Sequence, residues 1–419
     1  MLYRIKEYKN VKKLYKILRS KKLAEFQLDT EYNGDTQHLH SVQIGTDTDQ
    51  YVIIHTDYNV WLQKILLLPA LKIAHNAKAD LKILWHSNYD VSNLYCTMVA
   101  EMLLNAGKKE RPRMYALDTL VENYCGHTIE EKKEMQLHIA YNGLDNDDTV
   151  RYAAGDVKFL STIYRKQLAL LQHHGMANDN PLDIHTVLGL ENSCLYPFAM
   201  MEARGMRVDR DKWAKIADKV DEEINLISAK VTRYTATLLH SEKRAKQVNW
   251  GSWQQKLAVL HLINPTIPNT QKDTLKNYEH EHPMIPLLIQ LNGFKKLKSS
   301  FTTKFKQLLI DTDVIHPSVW QVVSTGRISI SDPPMQQIPS KGELATFIRS
   351  CFIAPEGHKI VGGDYSSAEL RIIAFLSQDP LWLEYLNEGK NLHSELCSKT
   401  FDIPLERVKD KFPHNTDIT

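Results

Sequence analysis

Asp29 and Glu31 stand two residues apart in Phe26-Gln27-Leu28-Asp29-Thr30-Glu31, where apolar and polar side chains alternate. Alternation marks a half-buried strand, and residues two apart on a strand project to one face. The pair therefore aims two carboxylates at one point, which like-charge repulsion disfavours unless a cation sits between them. Oxygen ligands suit a hard divalent ion such as Mg²⁺ or Mn²⁺. Taken alone, Asp-x-Glu on a strand reads equally as a solvated face, but two later segments add groups of the same kind. His75-Asn76-Ala77-Lys78-Ala79-Asp80 follows an apolar strand, Leu71 to Ala74, and opens a helix with Asp80 in its first turn. Tyr152-Ala153-Ala154-Gly155-Asp156 puts a phenol and a carboxylate at i and i+4, on one helical face.

Such groups could hydrolyse a phosphodiester. That reaction needs a nucleophile at neutral pH and a stabiliser for the leaving 3′-oxygen, and two divalent ions roughly 3.5–4 Å apart can provide both. A phenol titrates near ~10, so Tyr152 suits orienting a water better than taking its proton. The elements expected to position these residues begin strand, helix, strand. Tyr3 to Glu7 and Ala24 to Glu31 read as strands, and between them Val11, Leu14, Tyr15, Ile17 and Leu18 recur at helical spacing among lysines. No small-residue cleavage site follows this basic stretch, so it reads as a surface helix and not a targeting peptide.

The order and spacing of the three acidic segments resemble the DEDDy family of 3′–5′ exonucleases, specifically the proofreading domain of family A (polymerase I-type) DNA polymerases. The likeness covers residues 1–178. It implies an α/β, ribonuclease H-like domain with a mixed sheet flanked by helices. It also implies that Asp29, Glu31, Asp80 and Asp156 hold two Mg²⁺ or Mn²⁺ ions while Tyr152 positions the attacking water. Cys96, in Tyr95-Cys96-Thr97-Met98, stands where the family usually has an aspartate that is not a metal ligand.

A turn-rich stretch, His173 to Asp183, interrupts the periodicity and reads as a linker. From residue 185 to 310 the pattern is helical and charged. Glu191 to Asp209 resembles the start of the polymerase proper in family A enzymes, and Gly205 is expected to close its helix. Lys295 to Lys306, with Ser299, Ser300, Thr302 and Thr303 among the lysines, resembles the tip of the family's thumb. Lys295, Lys298 and Ser299 are the candidate phosphate contacts, a solvated basic face being the other reading.

Residues 311–419 read as a partial α+β palm, with β-type runs at Val319 to Val323 and Lys359 to Gly363. Thr325-Gly326-Arg327 and Met335-Gln336-Gln337 resemble the stretch that lies along the primer-template minor groove, whose acceptors every base pair offers. Arg327 and Gln336 inherit that role. The family commonly has Pro-Asn-Leu-Gln-Asn where this chain has Pro333-Pro334-Met335-Gln336-Gln337, which leaves the Asn contacts without a counterpart. Val361-Gly362-Gly363-Asp364-Tyr365-Ser366-Ser367-Ala368-Glu369-Leu370-Arg371 resembles the family's motif A. By that resemblance Asp364, at the end of an apolar strand, would ligate the ions of nucleotide addition, with Tyr365 contributing a carbonyl. Glu369 would lie under the sugar of the incoming dNTP, and Arg371 completes the matched string.

The likeness stops before the family's fingers helix and its His-Asp-Glu motif, and no 5′-nuclease segment is recognised. The first expectation is therefore one subunit, the N-terminal half, of a split replicative polymerase, with a second polypeptide carrying fingers and the remaining palm. A stand-alone 3′ exonuclease using thumb and palm as a DNA clamp is the alternative, and a non-catalytic DNA-binding module the third reading.

Composition bounds all three. The 419 residues are 43% hydrophobic, and 52 Lys+Arg face 50 Asp+Glu, so DNA must be held by local basic patches and not by a bulk field. Five scattered cysteines form no CxxC pair, which argues against a zinc site or a disulfide framework. A reducing cytoplasm, of a bacterium or a phage-infected host, fits this usage.

Overall fold

The computed structural model describes residues 1–55, 57–109, 113–129, 133–175, 184–339 and 343–411. It divides into two compact units, residues 1–353 and 354–419.

The first unit opens with β1 (Leu2–Ile5) and α1 (Tyr8–Ser20), then β2 (Glu25–Tyr32), β3 (Leu39–Gly45) and β4 (Gln50–Ile54). α2 (Val60–Leu66), β5 (Leu71–Ala74), α3 (Ala77–His86), β6 (Leu94–Cys96) and α4 (Thr97–Leu104) follow. The six strands form one mixed sheet in the order β1-β4-β3-β2-β5-β6. β2 is central, antiparallel to β3 and parallel to β5.

Strand alternation decides what each face of β2 meets. Phe26 and Leu28 enter a core with Val11, Leu14 and Leu18 of α1, Leu62 and Ile65 of α2, and Leu81 and Leu84 of α3. Ile17, expected on the same stripe, is instead exposed, because three buried positions at 3–4-residue spacing already fill the face that α1 lays on the sheet. The other sheet face is covered by α6 (Lys133–Asn142), α7 (Asp147–Lys158) and α8 (Leu160–Gly175), which follow α5 (Leu117–Cys125). Gln27, Asp29 and Glu31 belong to this second face, and the Gln27 amide donates to Ser161 of α8. Most of the expected linker, residues 176–183, lies outside the described residues. His173, His174 and Gly175 still belong to α8.

α9 (Ile184–Arg204) packs Leu195 and Ala199 into the same core as α3, so the helix that leaves the sheet domain is part of its wall. At Gly205 the chain turns with φ +65° into β7 (Met206–Arg207), which pairs with β8 (Val314–Ile315). A Cβ there would sit 2.5 Å from the Ile315 carbonyl oxygen. Left-handed backbone and a backbone clash act together at this position, so Gly205→Ala is expected to cost roughly 2 kcal/mol or more. Chemical denaturation checks this, and an unchanged midpoint would contradict it.

α10 (Arg210–Leu239), α11 (Glu242–Lys246), α12 (Trp253–His261), α13 (Lys272–Lys276), α14 (Met284–Leu297), a π-helical turn (Lys298–Thr302) and α15 (Thr303–Leu308) make the helix-rich middle. Ile227 and Val231 of α10 pack on Leu288 and Leu291 of α14 in a core of their own. β9 (Ser318–Trp320) then pairs antiparallel with β10 (Ser329–Ser331), ahead of a 3₁₀ turn (Met335–Gln337) and α16 (Glu343–Arg349). The run expected as a strand to Val323 stops at Trp320. Val322 takes φ +49° and Val323 N–H bonds the Arg327 carbonyl, closing a tight loop that carries Thr325-Gly326-Arg327.

The second unit holds α17 (Ala368–Ser377), α18 (Pro380–Asn387), α19 (Leu392–Phe401) and α20 (Leu405–Lys411). The strand expected at Lys359 to Gly363 is not formed, and Asp364 follows irregular backbone. Its β-type composition has no strand beside it among the described residues, and an isolated strand leaves its ladder groups unpaired. Val361 is 92% exposed as a result.

Candidate active site

Asp29 and Glu31 project from β2 onto the face covered by α7. Asn146 begins that helix with a reciprocal cap, accepting from Asp148 and Thr149 N–H while its own N–H meets the Thr149 hydroxyl. The cap fixes where the helix starts, and three turns on Asp156 reaches the two strand carboxylates. One oxygen from each of Asp29, Glu31 and Asp156 lies within 4.8 Å of the others.

Asp80 reaches the cluster from the opposite side of the sheet. α3 packs on the α1/α2 face, and β5 pairs with β2 only as far as Gln27, so the β2 edge is open beside Asp29 to Glu31. Thr30, alternating away from its two acidic neighbours, donates its hydroxyl to Asp80 Oδ1 at 2.6 Å. The Thr30 main chain supports the same carboxylate. Asp80 stands outside the three-residue group, yet among the acidic neighbours of Asp29 it exerts the strongest charge repulsion.

Burial, with repulsion from Asp156 and Asp80, pushes Glu31 up to about 8. Burial raises Asp156 to about 7 and, against the Thr30 hydrogen bonds, Asp80 to about 7 as well. Burial followed by repulsion from Asp80, Asp156 and Glu31 lifts Asp29 well above the carboxylate range. Among the described residues no lysine or arginine offsets the repulsion within this group. Crowded, charge-elevated oxygen donors of this kind fit a hard divalent cation, which would return the four carboxyls to their ionised form.

A stability prediction follows from the sign of these shifts. Unfolded carboxyls titrate near about 4. Between that value and about 7–8 the folded state holds more protons than the unfolded state, so stability is lost as pH rises through this window. In EDTA, thermal scanning should show Tm falling between about pH 5 and about pH 8. Millimolar Mg²⁺ or Mn²⁺ should restore several degrees at the upper end. Asp156→Asn should raise the EDTA value and blunt the response to the ion; a wild-type Tm indifferent to both pH and ion would contradict the picture.

Tyr152 lies one turn before Asp156 on α7, half-buried, with its hydroxyl hydrogen-bonded to the Gln136 side chain. Burial and then the Asp156 charge push its phenol far above the ordinary range, so it stays protonated. Thr30 and Gln136 were not legible as site residues: one looks like a spacer between two acids, the other sits on a helix with no chemical motif. Cys96 is fully buried, and its N–H donates to Asn192 Oδ1 at 2.8 Å, a structural position outside the acidic cluster.

The remaining candidates are spread over both units. Lys295, Lys298 and Ser299 lie exposed at the end of α14 and in the π turn. Lys298 is paired with Asp221 at 2.7 Å, and Ser299 donates to the Lys296 carbonyl, so only part of the expected basic strip is uncommitted. Gln336 accepts from Ile330 N–H at 3.0 Å, bracing the loop that carries Arg327. In the second unit Asp364 and Tyr365 occupy exposed irregular backbone. Glu369 lies in the first turn of α17, and Arg371 Nε donates to the Ser366 carbonyl at 2.9 Å. Among the described residues no helix is long and apolar enough to cross a membrane.

Comparison with known proteins matches residues 3–172 to the 3′–5′ exonuclease family model and residues 210–414 to that of DNA polymerase family A. DNA polymerase I of Pseudomonas aeruginosa is 26% identical over 383 residues, 83% of this chain and 39% of its own length. That of Treponema pallidum is 26% identical over 402 residues, 91% and 37%. The thermostable enzyme of Thermus aquaticus is 32% identical over 228 residues, 50% and 26%. The chain thus spans well under half the length of these curated relatives. Among solved structures, the POL domain of Pol1 from M. smegmatis, in complex with DNA primer-template and dNTP, superposes with a TM-score of 0.73 at 21% identity, covering 97% of this chain and 70% of that one. Two successive models from one polymerase architecture account for nearly the whole sequence, and the chain belongs to the family A DNA polymerases, carrying that family's 3′–5′ exonuclease domain.

Proposed function

We propose that the chain removes nucleotides from DNA 3′ ends by metal-dependent hydrolysis, and that this site proofreads for the polymerase whose thumb and palm elements follow it. The observation that carries the reading is the convergence of Asp29, Glu31 and Asp156 on one point with Asp80 and Tyr152 alongside. Residues 1–178 form the exonuclease in this reading, 185–310 the thumb and 311–419 part of the palm.

Asp29, Glu31 and Asp156 would hold one Mg²⁺ or Mn²⁺ and Asp29 with Asp80 a second. When bound, the ions activate the attacking water and stabilise the leaving 3′-oxygen. The protein's own part is positional. Thr30 holds Asp80 at the open sheet edge, the Asn146 cap sets the register of Asp156, and the protonated Tyr152 hydroxyl orients the water. Arg327 and Gln336 contact the duplex minor groove, while Lys295, Lys298 and Ser299 approach its phosphates. Asp364, Tyr365, Glu369 and Arg371 serve dNTP addition once a further polypeptide segment supplies fingers and a second palm carboxylate; a separate partner chain can be that segment.

The test is Tyr152→Phe. Losing only the hydroxyl should leave Mn²⁺ binding within about twofold while lowering the exonuclease rate about 10- to 100-fold, as a misplaced nucleophile does. Equal loss of metal binding would refute the water-orienting role.

A further inference from the structure

Lys78 and Lys82 sit one turn apart on α3, two residues either side of Asp80, and both reach one buried carboxylate. Lys78 Nζ lies 2.5 Å from Glu202 Oε1 and Lys82 Nζ 2.6 Å from Glu202 Oε2. The Val319 N–H donates to Glu202 Oε1 at 2.7 Å, and Lys78 also donates to the Val319 carbonyl. His316 Nδ1 meets the Glu202 carbonyl at 2.9 Å. Glu202 is 5% exposed, so one side chain out of water joins α3, α9 and β9.

The geometry of a helix gives this junction a consequence for the acidic cluster. At about 100° per residue, positions 78 and 82 share one side of α3 while position 80 points the opposite way. Glu202 therefore sets the roll of α3 from behind, and Thr30 receives Asp80 in front. A roll of about 10° would move a carboxylate oxygen roughly 5 Å from the helix axis by about 1 Å. An error of that size at a reacting centre commonly costs about 10² in rate.

The same junction leads to the loop that carries Arg327. Glu202 and Lys78 hold Val319 in the middle of β9, Gln321 donates to both the carbonyl and Oε2 of Glu191 on α9 at 2.9 Å, and Gly107 N–H donates to the Ser324 carbonyl at 2.8 Å. A displacement of this loop by bound duplex thus has a short, hydrogen-bonded route to α3.

We propose that Glu202 is a positioning residue of the exonuclease: through Lys78 and Lys82 it sets Asp80, and through Val319 it makes that setting depend on the β9–β10 hairpin. This rests on the reading above, in which Asp80 helps to hold an ion and Arg327 touches the duplex.

Glu202→Gln keeps the shape and removes the charge that both lysines face, and Lys82→Met severs one arm at a 36%-exposed position that tolerates change. Mn²⁺ binding followed by electron paramagnetic resonance, without substrate, should weaken at least about threefold in both variants. The exonuclease rate on single-stranded oligonucleotide should fall about tenfold in Glu202→Gln, and raised Mn²⁺ should partly restore it. In the wild type, Arg327→Ala should shift the ratio of digestion of paired to single-stranded 3′ ends; in the Glu202→Gln background that shift should shrink at least about twofold. Unchanged Mn²⁺ binding in Lys82→Met together with a full Arg327 effect would overturn the proposal, and Lys82→Met decides alone if Glu202→Gln does not fold. A wild-type chain with no ion-dependent nuclease activity would instead remove the reading on which the proposal rests.

Discussion

Replacing Asp29 and Glu31 together with Ala will lower release of mononucleotides from single-stranded 3′ ends by at least about 10³-fold, while the fold survives. The size follows from what the two side chains do. Removing one preorganised electrostatic group commonly costs about 10²–10³ in rate, and here two of the three convergent carboxylates go at once. Survival of the fold follows from the same crowding. The pair is pushed up by burial and by repulsion from Asp80 and Asp156, so without an ion it destabilises the neutral-pH protein and its removal relieves strain. The double variant should therefore melt no lower than the wild type in EDTA. Digestion at the wild-type rate would end the assignment of these residues.

The second large effect concerns synthesis. The 419-residue polypeptide should bind primer-template and shorten it, with no measurable extension. Asp364 is exposed on irregular backbone, and Asp364 belongs to no convergent acidic group among the described residues, where one such group is found, at Asp29, Glu31 and Asp156. A lone, solvated carboxylate cannot fix two ions. Adding a polypeptide that begins at the family's fingers should give extension. Asp364→Ala should abolish that extension while leaving exonuclease activity within about twofold, since the two acidic sites share no residue. Extension by the polypeptide alone, lost on Asp364→Ala, would show that its own residues complete the site.

What the sequence reveals about the exonuclease domain is local. Leu71 to Ala74 reads as a strand and is one, because its apolar run is short and bounded. Asp80 in a first turn and Tyr152 over Asp156 follow from helical spacing alone. The meeting of Asp80 with Thr30 depends instead on strand order, since β5 stops short of the acidic end of β2, and no local pattern encodes that. Glu202 is hidden for the same reason: on an amphipathic helix a glutamate reads as solvated, and only the approach of α3 and β9 makes it a buried hub. Lys359 to Gly363 fails in the other direction. Its composition favours a strand, but a strand is a property of neighbours, and the described residues offer it none.

The most direct test uses the unaltered chain and a 5′-labelled single-stranded DNA. With Mg²⁺ or Mn²⁺ the account predicts a ladder that shortens one nucleotide at a time from the 3′ end, and intact substrate in EDTA. Substrate left intact with either ion, or a ladder that persists in EDTA, would contradict it.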